Sequence, residues 1–564
     1  MLTRRRRSFT YSGMKLNLKV EWIRKLKNKG IVEDHKWASA DQWRALDIEA
    51  LEDPDLDLLL DLMEKHKDVR GSLAVKQKIT TYRKLLIDAK GVKISRLEPL
   101  VMAIKKLLEP TPHKWLFIEN EDGYLVPWYV YNVDYNPPDE RHGSPAHTDV
   151  SLAATKRGSK ITKELVFHVN DLGETAYELL RKKGFFVETP EIVEEYTKEN
   201  LRYQSICGLT GEQFLAVGEG FDKNEYWSSS TVSMERDQMP TKVVMDDESE
   251  EGEGRGERER EHITSKFWTE NKKSREDDGG EADEHSVIDL PLQPYVKVFD
   301  LSKHCFVIIH VANLTEYRYD AELINKLVLP EERKELVSML VEGADVALDD
   351  IVKGKTGGII VICTGPPGTG KTLTAEVFSE QVKRPLYCVQ CSQLGTNEQE
   401  LEKELVTVLG RAQRWKAILL IDEADVYVHT RGSDIQQNAI VGVFLRVLEY
   451  YRGILFMTSN RETIIDDAIM SRATAWIRYD IPDRQRAISI WRVLSTQYKI
   501  QLKDVDIEAL VDNTRFKAIS GRSIKNLLKL AKLRAARKKV PISVDSIEYV
   551  SQFLDLEDGV EKPT

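Results

Sequence analysis

The sequence predicts a doubly wound α/β sheet followed by a small all-α lid, both behind a helical and α+β N-terminal region. Three observations predict it. Short apolar runs at residues 358–364, 386–389, 418–421 and 454–458 alternate with helical stretches, as expected of a parallel sheet buried on both faces. From residue 483 onward the apolar spacing is mostly helical. Between residues 245 and 284 the composition collapses into acidic, glycine and Arg-Glu repeats, which separates this half from the one before it.

Composition sets the outer limits. The chain has 564 residues, 41% hydrophobic and 31% charged, an ordinary globular mixture. At about 150 residues per domain this length suits three or four domains. Lys and Arg number 82 against 92 Asp and Glu, a net charge of -10 that argues against a general nucleic-acid coat and leaves room only for a local basic groove. Apolar runs such as 357–363 and 417–421 are far too short to span a bilayer, so no membrane partner is expected. No apolar stretch backs the basic tail at Arg4, Arg5, Arg6 and Arg7, so a secretory signal is not expected, and the tail at most touches a phosphate backbone. Five cysteines do not make a disulfide framework in a chain of this size, which points to a reducing, cytoplasmic setting.

Along the chain, residues 1–109 read as helical, with three- and four-residue apolar spacing at 56–63 and 100–107. Residues 110–240 read as an α+β adaptor region opening on a hairpin, with runs at 115–118 and 125–135 flanking Asn120, Glu121, Asp122 and Gly123. Residues 241–286 read as an acidic flexible linker; the competing reading is an acidic docking peptide anchored by Trp268. Residues 287–326 form a β-rich segment, 327–482 the α/β subdomain with a helix at 331–341, and 483–564 the helical lid and tail.

The chemistry concentrates after the first strand of the α/β half. Gly365, Pro366, Pro367, Gly368, Thr369, Gly370, Lys371 and Thr372 form a complete Walker A sequence between a strand and a helix beginning near Leu373. Glycines let backbone N–H groups curl round phosphates, and the helix N-terminus adds partial positive charge. In such a loop Lys371 reaches the β- and γ-phosphates of ATP and the Thr372 hydroxyl ligates Mg²⁺. Residues 418–421 then lead into Asp422 and Glu423, an apolar strand ending in two acids. Asp422 is placed to hold the Mg²⁺ shell and Glu423 to polarise a water for in-line attack.

The phosphate loop followed by Asp422, Glu423, Ala424 and Asp425 resembles the AAA+ ATPase superfamily, and within it the AAA family proper. The resemblance runs over about residues 327–547. Leu-Val-Leu-Pro-Glu-Glu at 327–332 and Arg-Pro-Leu-Tyr at 384–387 bring it nearest to a largely uncharacterised prokaryotic branch with fungal relatives. It implies a P-loop AAA+ module, a parallel sheet flanked by helices, with its small lid. By the same resemblance Asn460 is the sensor 1 residue that helps place the attacking water. Arg472 is the arginine finger offered to a neighbouring subunit, which implies a homo-oligomeric ring, a hexamer. Where many family members carry a second arginine this chain has Ala475. Arg478 is either its substitute or, the preferred reading, a solvated strand residue. Arg522 matches the sensor 2 arginine opening a lid helix, against the plainer reading of a surface arginine. Asp350, Ile351 and Gly354 resemble the segment lining the adenine pocket. The implied nucleotide-binding set is therefore the eight loop residues with Leu373, Asp422 and Arg522, and the implied catalytic set is Lys371, Glu423, Asn460 and Arg472.

Other signals carry less. Cys388 and Cys391 have metal-pair spacing but no second pair, and His142 and His147 lie near Asp149 without a supporting helix motif; no metal beyond the nucleotide's Mg²⁺ is expected. The loop at 392–397 holds no aromatic residue with which to grip a threaded polypeptide; Tyr427 or His429, within 427–437, is a candidate for a second pore element, although the preferred reading makes both ordinary loop residues. The expected function is ATP-driven remodelling of a protein or protein complex recruited by the N-terminal region. A nucleotide-gated assembly switch in defence or signalling is the alternative, and a DNA- or RNA-acting motor is a weaker one.

Overall fold

A computed structural model of the chain describes residues 93–138, 143–222, 231–236, 239–246, 262–264, 287–343, 358–395, 397–428, 435–460, 465–517 and 519–554, with 15–26, 42–47, 53–65 and a few positions beside them. The chain divides into two compact units, one of Met1–Leu209 with Phe214–Glu316 and one of Thr210–Gln213 with Tyr317–Thr564.

In the second unit, helix α1 (Glu331–Glu342) leads to strand β1 (Ile359–Thr364), helix α2 (Lys371–Val382) and strand β2 (Leu386–Gln390). Helix α3 (Glu398–Arg414), strand β3 (Ile418–Asp422), helix α4 (Ile435–Leu448) and strands β4 (Ile454–Ser459) and β5 (Ala475–Arg478) follow. All five strands are parallel, in the order β2-β3-β4-β1-β5. The four expected apolar runs are the four longer strands; β1, β3 and β4 are buried along nearly their whole length, while β2, at the sheet edge, alternates buried and half-buried residues and ends exposed. Strand β5 shows in the sequence only through the strand reading of Arg478; its apolar run is three residues long, with Ala475 and Trp476 half-buried, Ile477 buried and Arg478 exposed. Val361 and Cys363 of β1, Leu420 of β3 and Phe456 of β4 share one core with Phe378 of α2 and Val337 of α1.

The lid comprises α5 (Arg484–Gln497), α6 (Asp504–Asp512), α7 (Gly521–Lys538) and α8 (Val544–Ser551), as the spacing after residue 483 predicts. Asp483, Ser520 and Ser543 cap α5, α7 and α8 by accepting a backbone N–H from Arg486, Ser523 and Ser546. Trp491, Leu510, Phe516, Leu527 and Ile547 close its core.

In the first unit, helices Asp53–Lys65 and Leu97–Leu108 stand where the three- and four-residue spacing places them. The region read as helical also holds an antiparallel pair, Lys15–Lys19 with Trp43–Asp47. Its signal is the two-residue alternation that buries Leu16 and Leu18, too short to outweigh the helical pattern around it. The expected hairpin is present as Trp115–Glu119 paired with Leu125–Asn136, and it continues through His147–Lys156 to Ser159–His168. Of residues 245–284, Met245, Asp246 and His262–Thr264 are described, the last paired with Val287–Asp289; Trp268 and the rest lie outside the described residues. Among the described residues no helix is long and apolar enough to cross a membrane.

A polar cluster is buried at the hairpin turn. The Tyr295 hydroxyl lies 3.0 and 2.8 Å from the two carboxyl oxygens of Asp122 and accepts from Asn120 Nδ2 at 2.8 Å. Tyr124 donates to Asn313 Oδ1 at 2.6 Å and stacks on His310 with centroids 3.8 Å apart. Burial pushes the Asp122 carboxyl up to about 7, against the opposing hydrogen bond from Tyr295. The unfolded chain loses this proton near the ordinary value of 3.8, so between these limits the folded state holds the extra proton. Stability should therefore be fully present below the lower value and fall as pH rises through the upper one, by at most about 1.4 kcal/mol per pH unit. Asp122→Asn, neutral throughout, should gain on the wild type from about pH 4 to about pH 7 in denaturant unfolding. Parallel profiles for the two proteins would show that Asp122 does not hold that proton.

Candidate functional site

The loop between β1 and α2 is shaped by what surrounds it. Gly365 has φ +139°, and a Cβ there would stand 2.1 Å from the Tyr479 carbonyl oxygen. Gly368 has φ +77°, and its Cβ would meet Arg522 Cβ and Ser520 Oγ at 2.7 Å. Side chains are thus excluded where the loop passes the end of β5 and where it passes the start of lid helix α7. Arg522 N–H donates to the Gly368 carbonyl at 3.3 Å, a direct backbone link from lid to loop. Helix α2 begins at Lys371, with Gly370 as its N-cap.

The Lys371 ammonium is folded back inside this loop, 2.7 Å from the Gly365 carbonyl and 2.8 Å from that of Pro366. Burial pulls its pKa below the ordinary amine value; Cys363, Asp422 and Asp425 oppose that pull and Arg522 adds to it. Thr369 Oγ1 donates to the Pro366 carbonyl at 2.8 Å, while Pro367 and Leu373 are exposed.

At the end of β3 two hydroxyls converge on Asp422. Thr372 Oγ1 donates to its Oδ1 at 2.9 Å and Thr458 Oγ1 to the same oxygen at 2.6 Å. Thr458 Oγ1 also accepts the Glu423 N–H at 2.9 Å. Glu423 itself takes φ +55°, the left-handed region that a non-glycine residue enters at a cost. Asp425 closes the other side, its Oδ1 accepting Ser459 Oγ at 2.5 Å and Asn460 N–H at 3.2 Å. The loop, the amine, the hydroxyl and the paired acids thus sit together at the carboxyl ends of β1, β3 and β4, where open α/β sheets bind ligands.

Residues 361–480 match the model of the AAA family, "ATPase family associated with various cellular activities". The chain carries a module of the AAA+ ATPase superfamily. Its AAA+ module, an ATP hydrolase module, resembles that of the ATP-dependent zinc metalloprotease FtsH of Rhodothermus marinus, 30% identical over 203 residues. That alignment covers 33% of this chain and 29% of the relative. FtsH 3 of Sphaerobacter thermophilus is 29% identical over 36% of this chain and 41% of its own length. The ATPase family AAA domain-containing protein FIGL1 of Arabidopsis thaliana is 27% identical over 35% and 29%. The chain therefore spans well under half the length of these relatives. A solved chain from "Structure of E. coli MS115-1 HORMA:CdnC:Trip13 complex" is 19% identical with a TM-score of 0.35, covering 43% of this chain and 93% of that one.

Other positions of the AAA+ module lie around this centre. Asn460 directly follows β4, exposed and with its backbone N–H on Asp425. Arg472 is exposed just after the short helix Asp467–Met470; its guanidinium bonds the Ala468 carbonyl at 3.2 Å and lies 3.9 Å from Glu449. Arg522 is exposed at the first turn of α7, beside Gly368. Arg478 lies on β5 with its guanidinium 3.8 Å from the Trp476 ring, in keeping with a strand residue. Tyr427 is buried, stacked on Phe444 and bonded to the Cys391 carbonyl at 2.9 Å, so it is a core residue and not a pore element. Asp350, Ile351, Gly354, His142 and His429 lie outside the described residues. Among the described residues no cluster of three or more His, Cys, Asp or Glu could hold a metal ion. Burial raises the thiols of Cys388 and Cys391 to about 12.

Thr458 is the site residue that sequence reading passes over. Its signal is faint: a hydroxyl two positions before Asn460, directly after the four apolar residues that open β4.

Substitution in the loop should separate packing from backbone strain. Gly365→Ala drives a Cβ into the Tyr479 backbone and should cost about 3 kcal/mol. Gly370→Ala meets open space at φ +104° and should cost about 1 to 2 kcal/mol, from backbone conformation alone. Equal losses in chemical denaturation would show that the contact with Tyr479 is not tight.

Proposed function

We propose that the chain is an ATPase that works as a homo-oligomeric ring, a hexamer, and couples hydrolysis to remodelling of a protein or protein complex recruited by its N-terminal unit. The observation that carries the reading is the meeting of Lys371, Thr372 and Asp422 beneath a loop whose glycines exclude side chains. An amine, a hydroxyl and a carboxylate at the mouth of a helix N-terminus fit a polyphosphate with its Mg²⁺. In this reading Lys371 leaves the Gly365 and Pro366 carbonyls for the β- and γ-phosphates. Thr372 and Asp422 hold Mg²⁺, which when bound supplies positive charge against the phosphate oxygens. Glu423 orients and polarises the attacking water, and Asn460 helps to place it. Arg522 reads the nucleotide from the lid, and the Arg522–Gly368 backbone bond gives the lid a way to follow the loop.

Arg472 acts in trans. Its exposed position and its weak, long pairing with Glu449 leave it able to serve the pocket of a neighbouring subunit, adding positive charge as the transition state develops. The interior position of Tyr427 and the lack of an aromatic residue in the β2–α3 connection favour remodelling by ring conformation over threading. The net charge of -10 favours a protein target over a nucleic acid.

Lys371→Ala should lose nucleotide affinity, whereas Glu423→Gln should keep ATP bound and unhydrolysed, since only water activation is removed. Titration with a fluorescent ATP analogue beside a phosphate-release assay reads both, and equal loss of binding in the two variants would sink these assignments.

Mixing tests the shared site. Arg472→Ala and Lys371→Ala proteins should each be inactive, and their mixture should regain turnover at interfaces that pair an intact pocket with an intact finger. Exchange of subunits without any recovery would rule out a finger in trans.

A further inference from the structure

ATP hydrolysis as proposed for this site gives no role to Thr458, yet this residue is bonded to both acids at the end of β3. It is the fifth residue of β4 and 2% exposed. A threonine hydroxyl has one hydrogen to give and lone pairs to receive with. Here the hydrogen goes to Asp422 Oδ1 at 2.6 Å, and a lone pair receives the Glu423 N–H at 2.9 Å. Its own carbonyl takes the Ala424 N–H at 2.8 Å. Three consecutive residues are therefore hung on one residue of the neighbouring strand.

The backbone explains why such a clip is needed. The β3–β4 ladder runs in register from Ile418 opposite Ile454 to Ile421 opposite Met457. One residue further the chain must leave the sheet, and it does so by turning Glu423 to φ +55°. A non-glycine residue in this region costs about 1 to 2 kcal/mol and persists where the surroundings fix it. Thr458 takes over where the ladder stops, with its hydroxyl in place of a strand partner. Branching at Cβ stiffens χ1, which holds that hydroxyl in one orientation. Cys391 completes the turn from the other side, its Sγ 3.0 Å from the Glu423 carbonyl oxygen.

We propose that Thr458 is a positioning residue for ATP hydrolysis, whose hydroxyl sets the Asp422 carboxylate and the Glu423 backbone in one fixed relation; this role rests on the hydrolytic reading of the site. It acts through these two residues. Valine at this position has the same shape and makes neither bond. Asp422 would then lose the shorter of its two hydroxyl donors, and the Glu423 N–H would lose its acceptor.

The test compares wild type, Thr458→Val and Thr458→Ser as full-length chains, by phosphate release, by titration with a fluorescent ATP analogue, and by thermal unfolding. Outer-shell partners of ligating carboxylates commonly contribute about 10- to 100-fold to activity, so kcat of Thr458→Val should fall by at least about tenfold. Its ATP dissociation constant should stay within about threefold of wild type, because the phosphate loop is untouched, and Thr458→Ser should recover most of the turnover. Thr458→Ser and Thr458→Ala form a second pair, both without the γ-methyl and differing in the hydroxyl; should the valine variant not fold, the serine protein should turn over and the alanine protein should not. Wild-type kcat in the valine or alanine variant overturns the proposal. So does a loss of kcat, ATP affinity and melting temperature together that serine fails to restore, since that is a packing role. Glu423→Gln serves as the control: turnover that survives it overturns the hydrolysis reading and this proposal with it, whereas turnover that depends on Glu423 but not on the Thr458 hydroxyl overturns this proposal alone.

Discussion

One carboxylate oxygen, Oδ1 of Asp422, accepts hydroxyls from two different elements, Thr372 of α2 and Thr458 of β4. This convergence fixes the first turn of the helix after the phosphate loop against the end of β3, and β3 against β4. Asp422 sits at the end of a strand whose preceding four residues are buried, so the position of the acid derives from the packing of the sheet. The loop then closes over the site for a different reason, which is exclusion: Tyr479 and the start of α7 leave no room for a side chain at Gly365 or Gly368. Attraction at the acid and exclusion at the glycines together leave Lys371 and Thr372 little freedom in where they point.

The same helix carries a second anchor near its far end. Glu380, buried on α2, accepts the Tyr317 hydroxyl at 2.5 Å and the Asp320 N–H at 3.0 Å. Tyr317 is the first residue of the long stretch that makes up the second unit. The helix that starts at the phosphate loop is therefore tied, about two and a half turns later, to the segment that holds Tyr317 and Asp320.

Much of the second unit is legible in the sequence because its signals are local. The phosphate loop declares itself through glycine spacing, the four longer strands through unbroken apolar runs, and the lid through helical periodicity. What is not legible is contact between distant residues. Thr458 and Glu423 are joined across two strands, and nothing in either segment announces the pairing. Tyr427 reads from the sequence as a loop residue with a pore role as the alternative; its burial and its stacking on Phe444 show it to be core. In the first unit the hairpin at Asn120–Gly123 is readable from turn chemistry. The burial of Asp122 beneath Tyr295 is not, since the two residues lie 173 positions apart. The pair at residues 15–19 and 43–47 escapes because five-residue alternation is a weak signal inside a helical neighbourhood.

Under the proposed function, the Asp422 carboxylate organises a Mg²⁺-dependent hydrolytic site. Single-turnover phosphate release from ATP by the purified chain, with Mg²⁺ and with EDTA, compared between wild type and Asp422→Asn, tests it most directly. The amide keeps the shape of the side chain but removes its charge, which Mg²⁺ requires. The wild type should release phosphate in a Mg²⁺-dependent manner, and Asp422→Asn should remain folded and lose that release. Equal release by the two proteins, or release by the wild type that is indifferent to EDTA, would contradict it.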